Sequence, residues 1–377
     1  MIKVLHSVLS LDTGGLENGV VNLINHAPDD FQVDVLCLRS KGALAHRISE
    51  GRCQVLVSKT MDDHSIYSSF RGHYQALRCH EYHILHTHGW TTLLSGALAA
   101  WSQRLLSFKK QPLIVNGEHG VFYAESRKRR LIQQGLFQAI DGNLTVSADL
   151  GRRMESAFSL PPETFYPILN GVDIDRFKPN GELRAQHRAQ LGYMETDFVI
   201  GTVGRLVEIK NYPLLIRVFA ALNKQYSNIK LLFCGDGDQR ANLEALVESY
   251  ELSSNVQFTG RIDNVAQVMQ AFDVFTLTSD MEGLPNTLLE AMASGIPSIV
   301  TDVGGSREVM PSPAGTLVPA GDEAALFKGL QRYIESQSFR ESTAQEALGH
   351  VRRHLSIEAM VTKYYDYYRQ LGSVNTP

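Results

Sequence analysis

EGLPNTLLEAMASGIP, running from Glu282 to Pro297, is the stretch on which the organisation of the whole chain turns. Two glutamates, Glu282 and Glu290, stand on either side of a Gly-Leu-Pro-Asn turn. Proline suits a first helical turn and asparagine suits a cap, so a helix is expected to begin near Pro285 or Asn286. Gly295 and Pro297 then stop it. Glu282 falls in the loop ahead of that helix, and Glu290 falls about one turn inside it. A helix start presents free N–H groups and a partial positive charge, which suits a phosphate. Two carboxylates beside a phosphate point to a ligand that is both anionic and rich in hydroxyls, as a nucleotide sugar is.

Around this stretch the second half of the chain alternates short β-rich runs with helical ones. Strands are expected at 197–206, 229–235, 256–260, 274–279, 297–302 and 315–319, with helices at 212–225, 238–249, 263–271, 286–294 and 322–337. Such alternation predicts a mostly parallel sheet covered by helices on both faces. Sheets of this kind bind ligands beyond the carboxyl ends of their strands. Several polar loops fall there: Gly204-Arg205, Lys210-Asn211, Gly235-Asp236-Gly237, Gly260-Arg261, the Glu282 stretch, and Thr301 to Glu308. Arg205, through its planar fork, and Lys210, as a point charge, suit a diphosphate. No Asp-x-Asp pair lies on these loops, since Asp173-Ile174-Asp175 falls in a polar connecting stretch. No metal ligand set is therefore expected, and charge on a leaving diphosphate would fall to Arg205, Lys210 and the helix start.

The first half repeats the pattern, with strands expected at 2–9, 31–38, 53–58, 82–88, 112–120, 142–147 and 164–171. After the first strand comes Asp12-Thr13-Gly14-Gly15-Leu16-Glu17, whose paired glycines permit close approach of backbone to a ligand. After the fourth comes His86-Thr87-His88, and after the fifth Gly117-Glu118-His119-Gly120. His80, His83, His86 and His88 lie close together beside Cys79, but without the carboxylate or paired-cysteine spacing of a metal site. His119, a lone histidine between glycines at a strand end, is read as a catalytic or sugar-contacting group. Residues 172–196 are polar, contain a Pro-Asn-Gly turn, and read as a linker with a lead-in helix. The domain plan is thus 1–171, linker 172–196, 197–355, and a C-terminal helix over 356–377. The tyrosines Tyr364, Tyr365, Tyr367 and Tyr368 serve to pack that helix.

Composition agrees with two soluble α/β domains: 377 residues, 44% hydrophobic and 20% charged. No cleavage site follows Met1-Ile2-Lys3, and no apolar run reaches the roughly 18 residues of a spanning helix. Four scattered cysteines suit reduced thiols, so a cytoplasmic location is expected, with the inner face of the cytoplasmic membrane as a further place. The net charge of −4 argues against a nucleic-acid partner. The run Arg127-Lys128-Arg129-Arg130 has two readings, a solvated helix face or a contact with anionic lipid. Clustered cations near such lipid contribute about 1 kcal/mol each.

Taken together, E-GLPNTLL-E with its AMASGIP continuation, GRLVEIKN, GDG, FTGR, NGVDIDRFKP and TDVGGSREV resemble the motifs of the retaining glycosyltransferases of family four. GGLENGVVNLI resembles the family's glycine-rich loop, and GEHG the position of its cleft histidine. The opening VLHSVLSLDTGGLENGVVNLIN and the GEHG turn also look like sugar transferases of bacterial exopolysaccharide or exosortase loci. The resemblance implies the GT-B fold: two facing Rossmann-like doubly wound domains, with a C-terminal helix returning to the N-terminal one.

Carried over residue by residue, the resemblance implies that Glu290 holds the ribose hydroxyls and Glu282 faces the donor sugar. Backbone N–H groups from Gly283 through Leu284 and Pro285 to Asn286 would lie near sugar and phosphate, wherever the residue has one. Arg205 and Lys210 would bind the diphosphate next to Gly204, and Arg261 would lie beside the base. Gly15 would let its loop approach the phosphates, and His119 would orient the sugar. The donor would be a UDP- or GDP-linked sugar with no further cofactor and no metal. The acceptor would be a glycan or a lipid-linked hydroxyl. Transfer would proceed by front-face displacement, with a leaving phosphate oxygen taking the acceptor's proton and the domains closing over the donor. Other proteins of the same fold are nucleotide-sugar epimerases, and a silent nucleotide-sugar-binding partner is a third reading. Intact Arg205, Lys210, Glu282, Glu290 and His119 favour the transferase.

Overall fold

The computed structural model describes residues 1–12, 14–49, 51–58, 65–107, 112–120 and 126–374. The chain divides into two compact units, Met1–Gly171 with Ile357–Pro377, and Val172–Ser356. In the first unit the order is β1 (Ile2–Val8), α1 (Gly15–Asn25), β2 (Phe31–Cys37), β3 (Val55–Val57), α2 (Ile66–Cys79) and β4 (Ile84–His88). It continues with α3 (Trp90–Ser107), β5 (Leu113–Glu118), α4 (Arg127–Ala139), β6 (Gly142–Thr145), α5 (Ala148–Phe158) and β7 (Tyr166–Pro167). The second unit holds α6 (Gly181–Gln190), β8 (Phe198–Val203), α7 (Tyr212–Asn223), β9 (Ile229–Cys234), α8 (Arg240–Ser249), β10 (Val256–Phe258) and α9 (Val265–Met269). Then come β11 (Val274–Leu277), α10 (Asn286–Ala293), β12 (Ser298–Thr301), α11 (Ser306–Val309), β13 (Thr316–Val318), α12 (Glu323–Glu335) and α13 (Gln337–His354). The last helix, α14 (Ile357–Val374), belongs to the first unit.

Every strand pairs in parallel, as the alternating pattern predicts. The first sheet runs β3-β2-β1-β4-β5-β6-β7 and the second β10-β9-β8-β11-β12-β13. Both are doubly wound: the winding reverses between β1 and β4 in one and between β8 and β11 in the other. Those reversals are where an open α/β sheet leaves a crevice at its carboxyl edge.

Burial on both faces explains the composition of the central strands. All six residues of β8 are buried, as befits a strand covered on two sides by helices. Helix α7 buries Leu214, Leu215, Ile216, Val218, Phe219 and Leu222 in the second core. Each such side chain contributes about 1.5–3 kcal/mol on leaving water. In the first unit α14 supplies Met360, Val361, Tyr364, Tyr365 and Tyr368 to the core, and the Tyr365 hydroxyl donates to Leu23 O at 2.8 Å.

Two expectations need correction. Residues 172–196 are not a linker but part of the second unit. Their helix α6 is held by Arg184 and Arg188, which reach Asp273 at 2.7 and 3.0 Å, and Asp273 also accepts from Val199 N. Charged residues made this stretch look solvated, yet they are its anchors. The expected strand at 164–171 shortens to Tyr166–Pro167 at the sheet edge, because proline has no N–H to continue a ladder. The C-terminal helix, α14, begins where the chain returns to the first unit. There Val172 bridges Ser356, and its N–H donates to Leu355 O at 2.9 Å.

Candidate active site

The second unit gathers its polar loops at the carboxyl ends of its strands, and backbone packing dictates where each lies. Beyond β8, Leu206 N donates to Asp236 O, and Gln239 N returns to Leu206 O, each at 2.9 Å. A Cβ on Gly235 (φ 150°) would lie 1.9 Å from Gly204 O, and one on Gly304 (φ 55°) would lie 2.2 Å from Glu282 O. Only glycine fits either position without moving backbone. The loops after β8, β9, β11 and β12 are therefore stacked in contact, with Gly305 N donating to Gly283 O at 2.9 Å.

The loop after β8 makes one 3₁₀ turn, Glu208–Lys210, and leaves it at Asn211 in the left-handed region (φ 46°). Asn211 Nδ2 donates to Asp280 Oδ1 at 2.8 Å, and Asp280 N donates to Ile209 O at 2.9 Å. The Thr278 hydroxyl closes the join by donating toward Lys210 O and Asn211 O. This stitching crosses the reversal between β8 and β11. It brings Lys210 Nζ to 2.6 Å from Glu282 Oε1, which also accepts from Ser279 Oγ at 2.7 Å. Both side chains are mostly shielded, at 17% and 12% exposure. The cation and carboxylate that the sequence places in different loops thus form one ion pair.

Helix α10 starts at Asn286, and its cap residue, Pro285, has no side-chain acceptor to satisfy the first N–H groups. Leu284 is buried beneath the loop, while Gly283 and Asn286 are half-buried. Glu290 follows on the same helix. Burial pushes its carboxyl up to about 7, and the nearby Arg176 guanidinium opposes that rise. Arg176 comes from the stretch 172–196, and no spacing in the sequence places it beside Glu290. Arg205 and Arg261 are exposed on the loops after β8 and β10.

In the first unit the expected residues sit differently. Gly15 is the first residue of α1, after the cap Gly14. A Cβ on Gly14 would fall 2.1 Å from Glu17 Oε2, so the Glu17 carboxylate folds back over the helix start. Burial raises the Glu17 pKa there, with the Asp12 charge adding to it. His119 follows β5, and its Nε2 lies 3.0 Å from His88 Nδ1. Although His119 keeps some exposure, burial of the ring draws its pKa down to about 4. Beside it, Glu118 is buried, accepts from Asn116 Nδ2 at 2.9 Å, and is raised to about 7 by that burial.

The histidine grouping also changes. His83 accepts from Lys3 N at 2.9 Å and Cys79 is exposed, so neither joins His86 and His88. His6, from β1, does: its Nδ1 lies 3.0 Å from His88 Nε2. No local spacing could reveal this, since His6 and His86 meet only through the register of β1 on β4.

Arg127, Lys128 and Arg130 are exposed on the first turn of α4, with Leu131 at 68% and Ile132 at 38% exposure beside them. Arg129 is turned inward, 5.2 Å from the Trp90 ring centre. Among the described residues no helix is long and apolar enough to cross a membrane.

Comparison with known proteins places both halves. Residues 184–349 match the family described as "Glycosyl transferases group 1", and residues 13–176 match "Glycosyltransferase Family 4". EpsF of Bacillus subtilis, a protein named as a glycosyltransferase, is 34% identical over 41% of this chain and 40% of its own. A GDP-mannose-dependent monoacylated alpha-(1-6)-phosphatidylinositol monomannoside mannosyltransferase of Corynebacterium glutamicum is 31% identical over 55% of this chain and 57% of its own. The chain spans about half the length of these curated relatives. Among solved structures, Anabaena HepE in complex with UDP and glucose aligns with a TM-score of 0.79 at 20% identity, covering 98% of this chain and 100% of that one.

Proposed function

This chain belongs to the glycosyltransferases of the GT-B fold, and on that premise we propose that it transfers a sugar from a nucleoside-diphosphate sugar to an acceptor hydroxyl with retention of configuration. The observation that carries this reading is the Lys210–Glu282 pair, 2.6 Å apart at the strand-order reversal beside the uncapped start of α10. The site has a cation for a diphosphate, a helix N-terminus without a side-chain cap for phosphate or sugar, and carboxylates for hydroxyls. In this reading Glu290 accepts from the ribose hydroxyls and Glu282 from the sugar. Lys210 and Arg205 take the diphosphate, and Arg261 lies by the base.

The leaving diphosphate gains negative charge as the bond to the anomeric carbon breaks. Lys210 and the α10 start stabilise that charge as it develops, which favours the transition state over the bound donor. The acceptor hydroxyl attacks from the side of departure and gives its proton to a departing phosphate oxygen. No divalent metal enters this scheme.

HepE was solved with UDP and glucose, and the corynebacterial relative is named for GDP-mannose, so UDP- and GDP-sugars are the donors to try first. The test is the anomeric configuration of the product, followed by NMR with EDTA present. Retention of the donor's configuration is expected. Inversion, or activity that EDTA abolishes and Mg²⁺ restores, would overturn the scheme.

The acceptor is assigned to a glycan or a lipid-linked sugar of a bacterial surface polysaccharide, met at an anionic membrane face. The three exposed cations of α4 beside Leu131 and Ile132 support that contact, because apolar side chains can enter the headgroup layer while the cations bind phosphate. Co-sedimentation with phosphatidylglycerol vesicles should fall when Arg127, Lys128 and Arg130 become glutamate. Equal sedimentation of the variant would remove the assignment.

A further inference from the structure

The first sheet carries a buried imidazole cluster that the transfer scheme does not use. His6 on β1 and His86 on β4 are register partners, so they project to the same face, and His88 follows His86 by the two-residue period of a strand. His6 and His86 are fully buried and His88 is 6% exposed. The His86 and His88 ring centres lie 4.3 Å apart, and those of His6 and His86 lie 4.9 Å apart. One nitrogen from each of the three rings falls within 4.8 Å of the others, and among the described residues no other group of potential ligands does this.

We propose that His6, His86 and His88 bind a divalent transition-metal ion of the zinc class. Three features of the cluster carry this. His6 Nε2 and His86 Nε2 are buried with no hydrogen-bond partner among the described residues. Buried polar atoms are rarely left so, and two in one cluster call for a shared occupant. Next, the remaining nitrogens are already held as metal-ligating imidazoles are held by an outer shell. His86 Nδ1 lies 2.6 Å from the Tyr368 hydroxyl, and His88 Nδ1 lies 3.0 Å from His119 Nε2. With Nδ1 carrying the proton in both, each Nε2 keeps its lone pair for an ion.

Space is kept as well. A Cβ on Gly117 would stand 3.0 Å from His86 Nε2 and 3.3 Å from His88 Nδ1, so any other residue there would crowd the rings. Burial also keeps these imidazoles neutral, which is the form that binds a metal.

Imidazole-only ligation selects zinc, copper, nickel or iron over magnesium or calcium. Zinc–nitrogen bonds of about 2.0–2.1 Å need ligand nitrogens roughly 3.4 Å apart, so the rings must draw together by rotation about their side-chain bonds. On binding, His88 Nε2 would exchange its contact with His6 Nδ1 for the ion, and His6 would offer Nε2. The ion would clamp β1 to β4. Through His88 it would hold the His119 loop, and through Tyr368 it would fix α14.

The test uses the full chain, stripped with EDTA, desalted, and titrated with Zn²⁺ by calorimetry and with Co²⁺ by visible absorption. One equivalent should bind, giving the intense d–d bands of a four-coordinate cobalt site and a rise in melting temperature that Mg²⁺ does not reproduce. His86→Gln should abolish the stoichiometric site. Tyr368→Phe, which keeps the ring in the core, should weaken binding about 10- to 100-fold. Replacing His350 and His354, a histidine pair on α13, should change nothing. A folded wild-type chain that binds no stoichiometric zinc would overturn the proposal, as would binding that survives His86→Gln or is lost with His350 and His354. These readouts are independent of sugar transfer, so their failure would leave the donor site standing.

Discussion

Lys210 and Glu282 neutralise each other in the structure, and that pairing sets what each can do when a donor arrives. A diphosphate that draws Lys210 away leaves Glu282 with the Ser279 hydroxyl and a free oxygen for the sugar. On the proposed assignment, donor binding and the release of this carboxylate would be the same event. Lys210→Ala should lower kcat by about 10²-fold or more, as loss of a group that meets developing charge does. Because each side chain restrains the other, Lys210→Ala and Glu282→Ala should be far from additive in a double-mutant cycle. Steady-state kinetics of the four proteins checks this. Additive losses would mean that the two act on separate features of the donor. The pair itself was not legible in the sequence. Each residue was singled out for a different ligand group, and only the Asn211–Asp280 and Thr278 bonds show why their loops must touch.

At the scale of elements, periodicity and punctuation carried most of the fold. The start of α10 near Pro285-Asn286 and its stop at Gly295 lie where local chemistry puts them, although Pro285, not the asparagine, is the cap residue. Failures came where a distant partner decides the outcome. Helix α6 has a polar surface, yet Arg184 and Arg188 tie it to Asp273, far along the chain. Likewise His6 joins His86 and His88 only because β1 lies beside β4.

That sheet also makes a pH-dependence. Burial lowers His6 to about 3 and His73 and His119 to about 4, with His86 and His88 well below their ordinary value. A histidine whose folded pKa is depressed binds fewer protons folded than unfolded, so stability is full above about 6.5 and is lost as pH falls toward the folded value. Glu118, raised to about 7, and Glu17, also raised by its burial, act oppositely, but they are two groups against five. The first unit should therefore melt at a lower temperature at pH 5 than at pH 7.5, by calorimetry of the full chain in EDTA. A melting temperature that rises on acidification would contradict the buried neutral cluster.

For the molecule as a whole, the two units divide the work that the composition and alternation foretold. The second holds the rim on which the donor assignment rests, and the first carries the basic turn of α4 and the imidazole cluster. Family motifs supply an assignment for the donor side, because phosphate and ribose impose the same groups on any donor, and that assignment is the proposal to be tested. The acceptor side imposes no such code, and the sequence was correspondingly silent there. Hydrogen exchange across the full chain, with and without a saturating nucleoside diphosphate, tests the central claim most directly. Protection should concentrate in residues 204–211, 282–290 and 304–306, and Glu290→Ala should weaken nucleotide affinity roughly 10- to 100-fold, as loss of hydrogen bonds to a charged group does. Protection absent from those three segments, or affinity unchanged by Glu290→Ala, would contradict the account.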